Sequence, residues 1–115
     1  MSKTITLPLP SRNLSPNSQV HWSIKAKNRK SARRDAALLA FHQCGPQQFT
    51  GYRLDFYWPV KRRRDRDNAC ASAKSALDGI ADAMRQDDSE WEFYGVRFSI
   101  DSENPRLEIV FSEIE

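Results

Sequence analysis

Residues 52–58, YRLDFYW, and residues 68–84, NACASAKSALDGIADAM, decide the fold between them. In the first, Tyr52, Leu54, Phe56 and Trp58 alternate with Arg53, Asp55 and Tyr57, the period of a half-buried strand. In the second, Ala69, Ala73, Ala76, Leu77, Ile80 and Met84 recur at i, i+4, i+7, i+8 and i+11 spacing. That spacing puts one apolar stripe on a helix running from about Asn68 to Met84.

Upstream, Thr4–Leu9 alternates and reads as a first strand, ended by Pro8 and Pro10. Ser11–Lys27, with Asn13, Pro16, Asn17 and several serines, reads as a long loop. From about Asn28 to Cys44 the pattern is helical, with Ala32, Ala36, Leu39 and Ala40 on one stripe, and Gly45-Pro46 stops it. Downstream, Arg85–Ser89 is a polar loop. Two strands follow, near Trp91–Ile100 and Arg106–Ile114, joined by a turn through Asp101–Pro105. The order βαβαββ predicts an α+β sandwich: a mixed sheet of about four strands with two main helices packed on it, one domain over residues 1–115.

Hydrophobic residues make up 39% and charged residues 29% of the chain, which fits a folded domain rather than a disordered one. No apolar run approaches the roughly 20 residues of a membrane helix, and Met1-Ser2-Lys3-Thr4 lacks the apolar core of a signal peptide. Cys44 and Cys70 are too few for a disulfide framework or a zinc site, so a reducing cytoplasm is expected. With only four glycines there is no phosphate-cradling glycine loop and no sign of a nucleotide cofactor. His21 and His42 have no partner pattern for metal or nucleophilic chemistry.

Charge is distributed unevenly. Residues 1–66 hold 14 Lys/Arg against 3 Asp/Glu, and residues 67–115 hold 4 against 12. Such asymmetry points toward nucleic acid, unless the two halves neutralise each other across a shared sheet. Lys25, Lys27, Arg29, Lys30, Arg33 and Arg34 cluster at the predicted start of the first helix. Cations there oppose the helix dipole, so either phosphate is their partner or the preceding loop carries them into solvent.

The chemistry concentrates in Arg62-Arg63-Arg64-Asp65-Arg66-Asp67-Asn68. Two aspartates two apart on an extension of the second strand point to one face, roughly 6.5–7 Å apart at the backbone. Carboxylates about 4 Å apart repel by roughly 4 kcal/mol at an intermediate dielectric, and Mg²⁺ or Mn²⁺ turns that repulsion into coordination. The plain alternative is that Asp67 or Asn68 caps the following helix while the arginines are solvated. Lys74 and Asp78 are i, i+4 neighbours on that helix. Asp88 comes only after the helix has run its length, so it approaches Asp65 only if the connecting loop folds back.

Four segments together resemble the RusA-type Holliday junction resolvases, small endonucleases of bacteria and their prophages. They are Leu7-Pro8-Leu9-Pro10-Ser11, Arg64-Asp65-Arg66-Asp67-Asn68, Lys74-Ser75-Ala76-Leu77-Asp78-Gly79 and Asp87-Asp88, in order along nearly the whole chain. The resemblance implies a magnesium-dependent homodimer that cuts four-way DNA junctions symmetrically, in the cytoplasm of a bacterial or phage-infected cell. By position, Asp65, Asp67 and Asp88 match the family's essential carboxylates and metal ligands, Asp87 a neighbouring acidic position, and Lys74 its functional lysine. Arg62, Arg63, Arg64 and Arg66, with Lys25, Lys27, Lys30, Arg33 and Arg34, would hold flanking phosphates. The chain departs from the family in placing Lys74 six residues after Asn68 rather than about one turn. Either the first turn is loosened or Lys74 is rotated away from the metal. A non-catalytic DNA-binding module and a protein-interaction domain stand as alternative readings.

Overall fold

A computed structural model of the chain describes residues 2–16 and 18–113. Asn17, in the predicted loop, and Ile114, the predicted end of the last strand, lie outside the described residues. Strands β1 (Ser2–Leu7), β2 (Phe49–Trp58), β3 (Glu92–Ile100) and β4 (Arg106–Glu113) form one mixed sheet in the order β1-β4-β2-β3. β4 runs antiparallel to both β1 and β2, whereas β2 and β3 are parallel. A parallel pair needs a long crossover, and α2 (Arg66–Ser72) and α3 (Lys74–Met84) supply it; α1 (Trp22–Cys44) joins β1 to β2. The predicted α+β sandwich and its element order are what the structure has.

One sheet face carries the core. Ile5, Leu54, Phe56, Leu107, Ile109 and Phe111 are buried there against Ala36 and Ala40 of α1 and Leu77, Ile80 and Met84 of α3. The two helices touch backbone to backbone at Gly79, where a Cβ would stand 2.0 Å from the Arg33 carbonyl oxygen. The opposite sheet face is polar. Arg53 forks onto Asp55 with two bonds of 2.9 Å, and Arg106 reaches Asp101 and Glu108 while lying over the Tyr57 ring. β3 is an outer strand, and Phe93, Tyr94, Phe98 and Ile100 on it are exposed. Its pairing with β2 slips at Tyr94, and Gly95 (φ 138°) takes up the slip in a conformation that favours glycine.

Four expectations need correction. β1 ends at Leu7, before Pro8, because the proline has no N–H for the ladder. α1 begins at Trp22 rather than Asn28; the His21 ring nitrogen accepts the Ser23 N–H at 3.2 Å and caps it. Its first turns are largely exposed, so they show no apolar stripe, and Trp22 is 73% exposed. The predicted helix 68–84 is two helices. The buried Ser72 hydroxyl donates to the Ala69 carbonyl at 2.7 Å and the Ala73 N–H donates to Cys70 at 3.1 Å, closing the turn tightly before Lys74 starts afresh. Finally, β2 stops at Trp58, because Pro59 cannot donate to the ladder, so Asp65 and Asp67 are not on a strand.

Candidate functional site

Asp65 immediately precedes α2, and its carboxylate accepts the Asn68 backbone N–H at 3.1 Å. An aspartate so placed satisfies one of the free donors of the first turn. Asp67 is the exposed second residue of α2, where negative charge suits the helix dipole. The i, i+2 convergence expected of the pair on an extended strand is therefore absent: one carboxylate is a cap and the other projects from the first helical turn.

The return of Asp88 toward α3 is achieved by the loop after it. Arg85 takes a left-handed conformation (φ 57°, ψ 41°) and reverses the chain. Gln86 then fixes the reversal. Its side-chain oxygen accepts the Phe49 N–H at 2.9 Å and the Trp91 indole N–H at 3.2 Å, and its amide donates to the Phe49 carbonyl at 3.0 Å. Asp87 accepts the Ser89 N–H at 3.0 Å and caps the single 3₁₀ turn Asp88–Glu90. Asp88 is thereby laid beside the first turn of α3.

Lys74 marks the meeting point. Its ammonium donates to Asp88 in a short contact and lies 2.9 Å from Asp78. Hydrogen bonding to Asp88, with Asp78 adding, holds the Lys74 pKa above the ordinary ammonium value, so this lysine is charged at neutral pH. The Ser89 N–H lowers the Asp87 carboxyl, with Asp88 and the Lys74 charge assisting. The six-residue Asn68–Lys74 spacing is accommodated by the break at Ala73.

Asp78, Asp82, Asp87 and Asp88 line a shallow groove of about 340 Å³ together with Arg33 and Arg85. Asp65 lines a different hollow, of about 520 Å³, with Arg12, Arg62, Arg63, Arg64, Asn68 and Trp58. Burial raises the Tyr52 phenol pKa, with Lys74 opposing and Asp88 and Cys70 adding. Burial likewise raises the Cys70 thiol, with Asp67 adding and Arg66 opposing.

Among the described residues, no three His, Cys, Asp or Glu side chains gather closely enough to hold one ion. Asp65, Asp67 and Asp88 do not form a three-carboxylate cage here, because Asp65 is spent on its cap and Asp88 on Lys74. The carboxylates that share a point are Asp78 and Asp88, on either side of the Lys74 ammonium. Mg²⁺ characteristically takes one or two carboxylates and keeps several waters. The Asp78–Asp88 pair fits that donor set once the lysine swings aside.

The expected phosphate-binding cations divide into two groups. Arg33 forks onto Asp82 at 2.7 and 2.9 Å, which also lowers the Asp82 pKa, and Arg34 lies 3.6 Å from Asp35. Arg64 lies over the Trp58 ring at 4.0 Å, and burial, then Arg62, lowers its pKa. Arg62, Arg63, Arg66, Lys27 and Lys30 are exposed, Lys25 is partly buried, and none has an acidic partner among the described residues. The basic cluster 25–34 lies within α1, so dipole opposition concerns only its first member, Lys25. Among the described residues a single ion pair, Arg33–Asp82, joins the basic half to the acidic half, so mutual neutralisation by ion pairing is slight.

Asp78, Arg12 and Trp58 belong to these surroundings although sequence reasoning did not propose them as site residues. The i, i+4 relation to Lys74 was a usable signal for Asp78. Nothing in the sequence tied Arg12 to the 62–64 arginines.

No protein-family model matches the chain. It is similar to an uncharacterized protein of Xylella fastidiosa (strain Temecula1), at 41% identity over 92 residues, covering 75% of this chain and 60% of that protein. The chain thus spans less than two thirds of that relative's length.

Proposed function

We propose that this chain is a metal-dependent DNA endonuclease of the RusA type, a homodimer that resolves four-way junctions by paired symmetric nicks. The observation that carries the reading is the contact between Lys74 and Asp88. Two residues fourteen apart, which the motif pattern requires to act together, are brought side by side by the reversal at Arg85. The neighbouring surface offers unpaired arginines and lysines for DNA phosphates, whose contacts position a duplex without reading its sequence.

Magnesium, or manganese in its place, would supply an activated water and charge stabilisation at the phosphorus. Asp88 with Asp78, and Asp67 on the first turn of α2, are the carboxylates that would hold it. Asp65 fixes the first turn of α2 and so orients Asp67. Lys74, fully charged, would stabilise negative charge on the scissile phosphate. Arg62, Arg63, Arg66, Lys27 and Lys30 would grip flanking phosphates. A two-fold dimer suits a junction with approximate two-fold symmetry and two strands to cut. The reading belongs in the cytoplasm of a bacterial or phage-infected cell; no helix among the described residues is long and apolar enough to cross a membrane.

The lack of a three-carboxylate cluster among the described residues favours a second reading, a branched-DNA or duplex-DNA binding module without catalysis. Incubating a labelled four-way junction with and without Mg²⁺ separates the two. The endonuclease reading expects paired nicks only with metal. It also expects Asp88→Asn to lose cutting by roughly a hundredfold or more while still binding the junction. Binding indifferent to EDTA, with no product under any divalent metal, would establish the second reading instead.

A further inference from the structure

The arginine-lined hollow is built around an aromatic plane. Trp58 stacks on Phe56, with ring centroids 5.1 Å apart and planes within 5°, and Phe98 meets it edge-on at 5.5 Å. These neighbours pack against the indole. The Arg64 guanidinium lies over the ring, 4.0 Å from its centroid. Arg64 is attached through a segment with no regular structure, residues 59–65. A charged planar group on an irregular segment thus covers a packed aromatic surface.

Two donors in this stack lack acceptors among the described residues. The Trp58 indole N–H and the Arg64 Nε–H are both shielded from solvent and have no hydrogen-bond partner there. Buried donors are almost always satisfied, and an exception calls for an explanation. The rim supplies more unmatched positive charge, since Arg12, Arg62 and Arg63 are exposed and form no ion pair among the described residues. The one carboxylate lining the hollow, Asp65, is engaged with the α2 backbone. Such a site asks for a ligand with a flat face, exposed acceptors and a phosphate.

We propose that this hollow takes one unpaired nucleotide, its base replacing Arg64 on the Trp58 face and its phosphate bound by Arg12, Arg62 and Arg63. Base stacking on aromatic rings is sequence-tolerant because every base has a π-face. A paired base inside a duplex has no free face to offer, so the hollow distinguishes opened from intact helix. Asp65 and Asn68 border the same hollow, which sets the unpaired nucleotide beside the start of α2 and its Asp67. This inference rests on the nucleic-acid reading above and adds to it a preference for DNA with unstacked bases, as at a branch point.

The test measures fluorescence anisotropy in EDTA with three labelled probes: a short thymidine oligonucleotide, an abasic strand of equal phosphate number, and a blunt duplex. The intact chain is expected to bind the thymidine strand about tenfold tighter than the abasic strand, the advantage typical of one stacked base. Trp58→Leu should abolish that advantage. Arg64→Ala clears the ring without disturbing the stack beneath, and should widen the thymidine advantage. It therefore decides the matter if circular dichroism shows Trp58→Leu to be unfolded. Equal affinity of the intact chain for thymidine and abasic strands overturns the proposal, as does an advantage unchanged by Arg64→Ala. If duplex binding persists in that outcome, the wider nucleic-acid reading survives. Absence of binding to all three probes at low salt overturns both.

Discussion

Replacing Gly79 with alanine is the sharpest probe of how α3 is seated. The new Cβ would stand 2.0 Å from the Arg33 carbonyl oxygen, 2.9 Å from its carbonyl carbon and 3.1 Å from the Ala37 nitrogen. Ordinary contact begins near 3.4 Å, so the helices must part by 1.4 Å or shear. All three obstacles are backbone atoms of α1, which cannot rotate away as a side-chain tip would. Alanine gains about 1 kcal/mol over glycine in helix propensity, whereas overpacking of this kind costs about 1–3 kcal/mol. Because backbone is the obstacle, the upper end applies and the net is a loss of about 2 kcal/mol. With a urea m-value near 1.5 kcal/mol/M, the unfolding midpoint should fall by about 1 M. Junction cutting, assayed below the transition, should fall too, since α3 carries both Lys74 and Asp78. An unchanged or raised midpoint would mean that α1 and α3 do not touch at this position, and the reasoning would be refuted.

The Asp82, Asp87 and Asp101 carboxyls are all held below their ordinary values by hydrogen bonds from Arg33, Ser89 and Arg106 respectively. Their stabilisation is present above the usual carboxylate pKa and lost as pH falls through the folded values, so urea midpoints should decline below about pH 4. A midpoint flat from about pH 5 to 2 contradicts this, and Arg33→Gln should flatten the decline in part. Lys74, shifted the other way, contributes stability below the ordinary lysine pKa that disappears as pH rises beyond the folded value; Lys74→Met should remove that alkaline loss and abolish cutting without abolishing junction binding. Arg62→Ala combined with Arg63→Ala should weaken duplex and junction binding alike and reduce the salt slope by about one per lost phosphate contact, and an unaltered slope would take both arginines off the DNA.

Strand β2 was legible because its residue types alternate: Tyr52, Leu54, Phe56 and Trp58 share one face and Arg53, Asp55 and Tyr57 the other, and period two follows directly. The first six residues of α1 were hidden for the opposite reason. They bury little, so residues 22–27 carry no apolar stripe. The break at Ala73 was invisible, since alanine is the best helix former and the cause is a buried Ser72 hydroxyl whose partner sequence cannot name. At the site, the cap on α2 was foreseeable in kind, but Asp65 performs it rather than Asp67 or Asn68. The meeting of Lys74 with Asp88 depended on a left-handed Arg85 and a Gln86 bonded to Phe49, neither of which carries a local signature.

The slip at Tyr94–Gly95 has a consequence for how the sheet presents its margin to other chains. A long flat outer strand templates further strands, and nature often blunts such strands with bulges. Here the irregularity divides β3, so an incoming segment would find regular unpaired backbone only along Val96–Ile100. The Tyr94 ring lies across Gly51, where a Cβ would come within 2.5 Å of it. A side chain added at position 51 would also meet the Glu92 carbonyl oxygen at 2.7 Å, so it would push the start of β3 away from β2 and loosen the margin there.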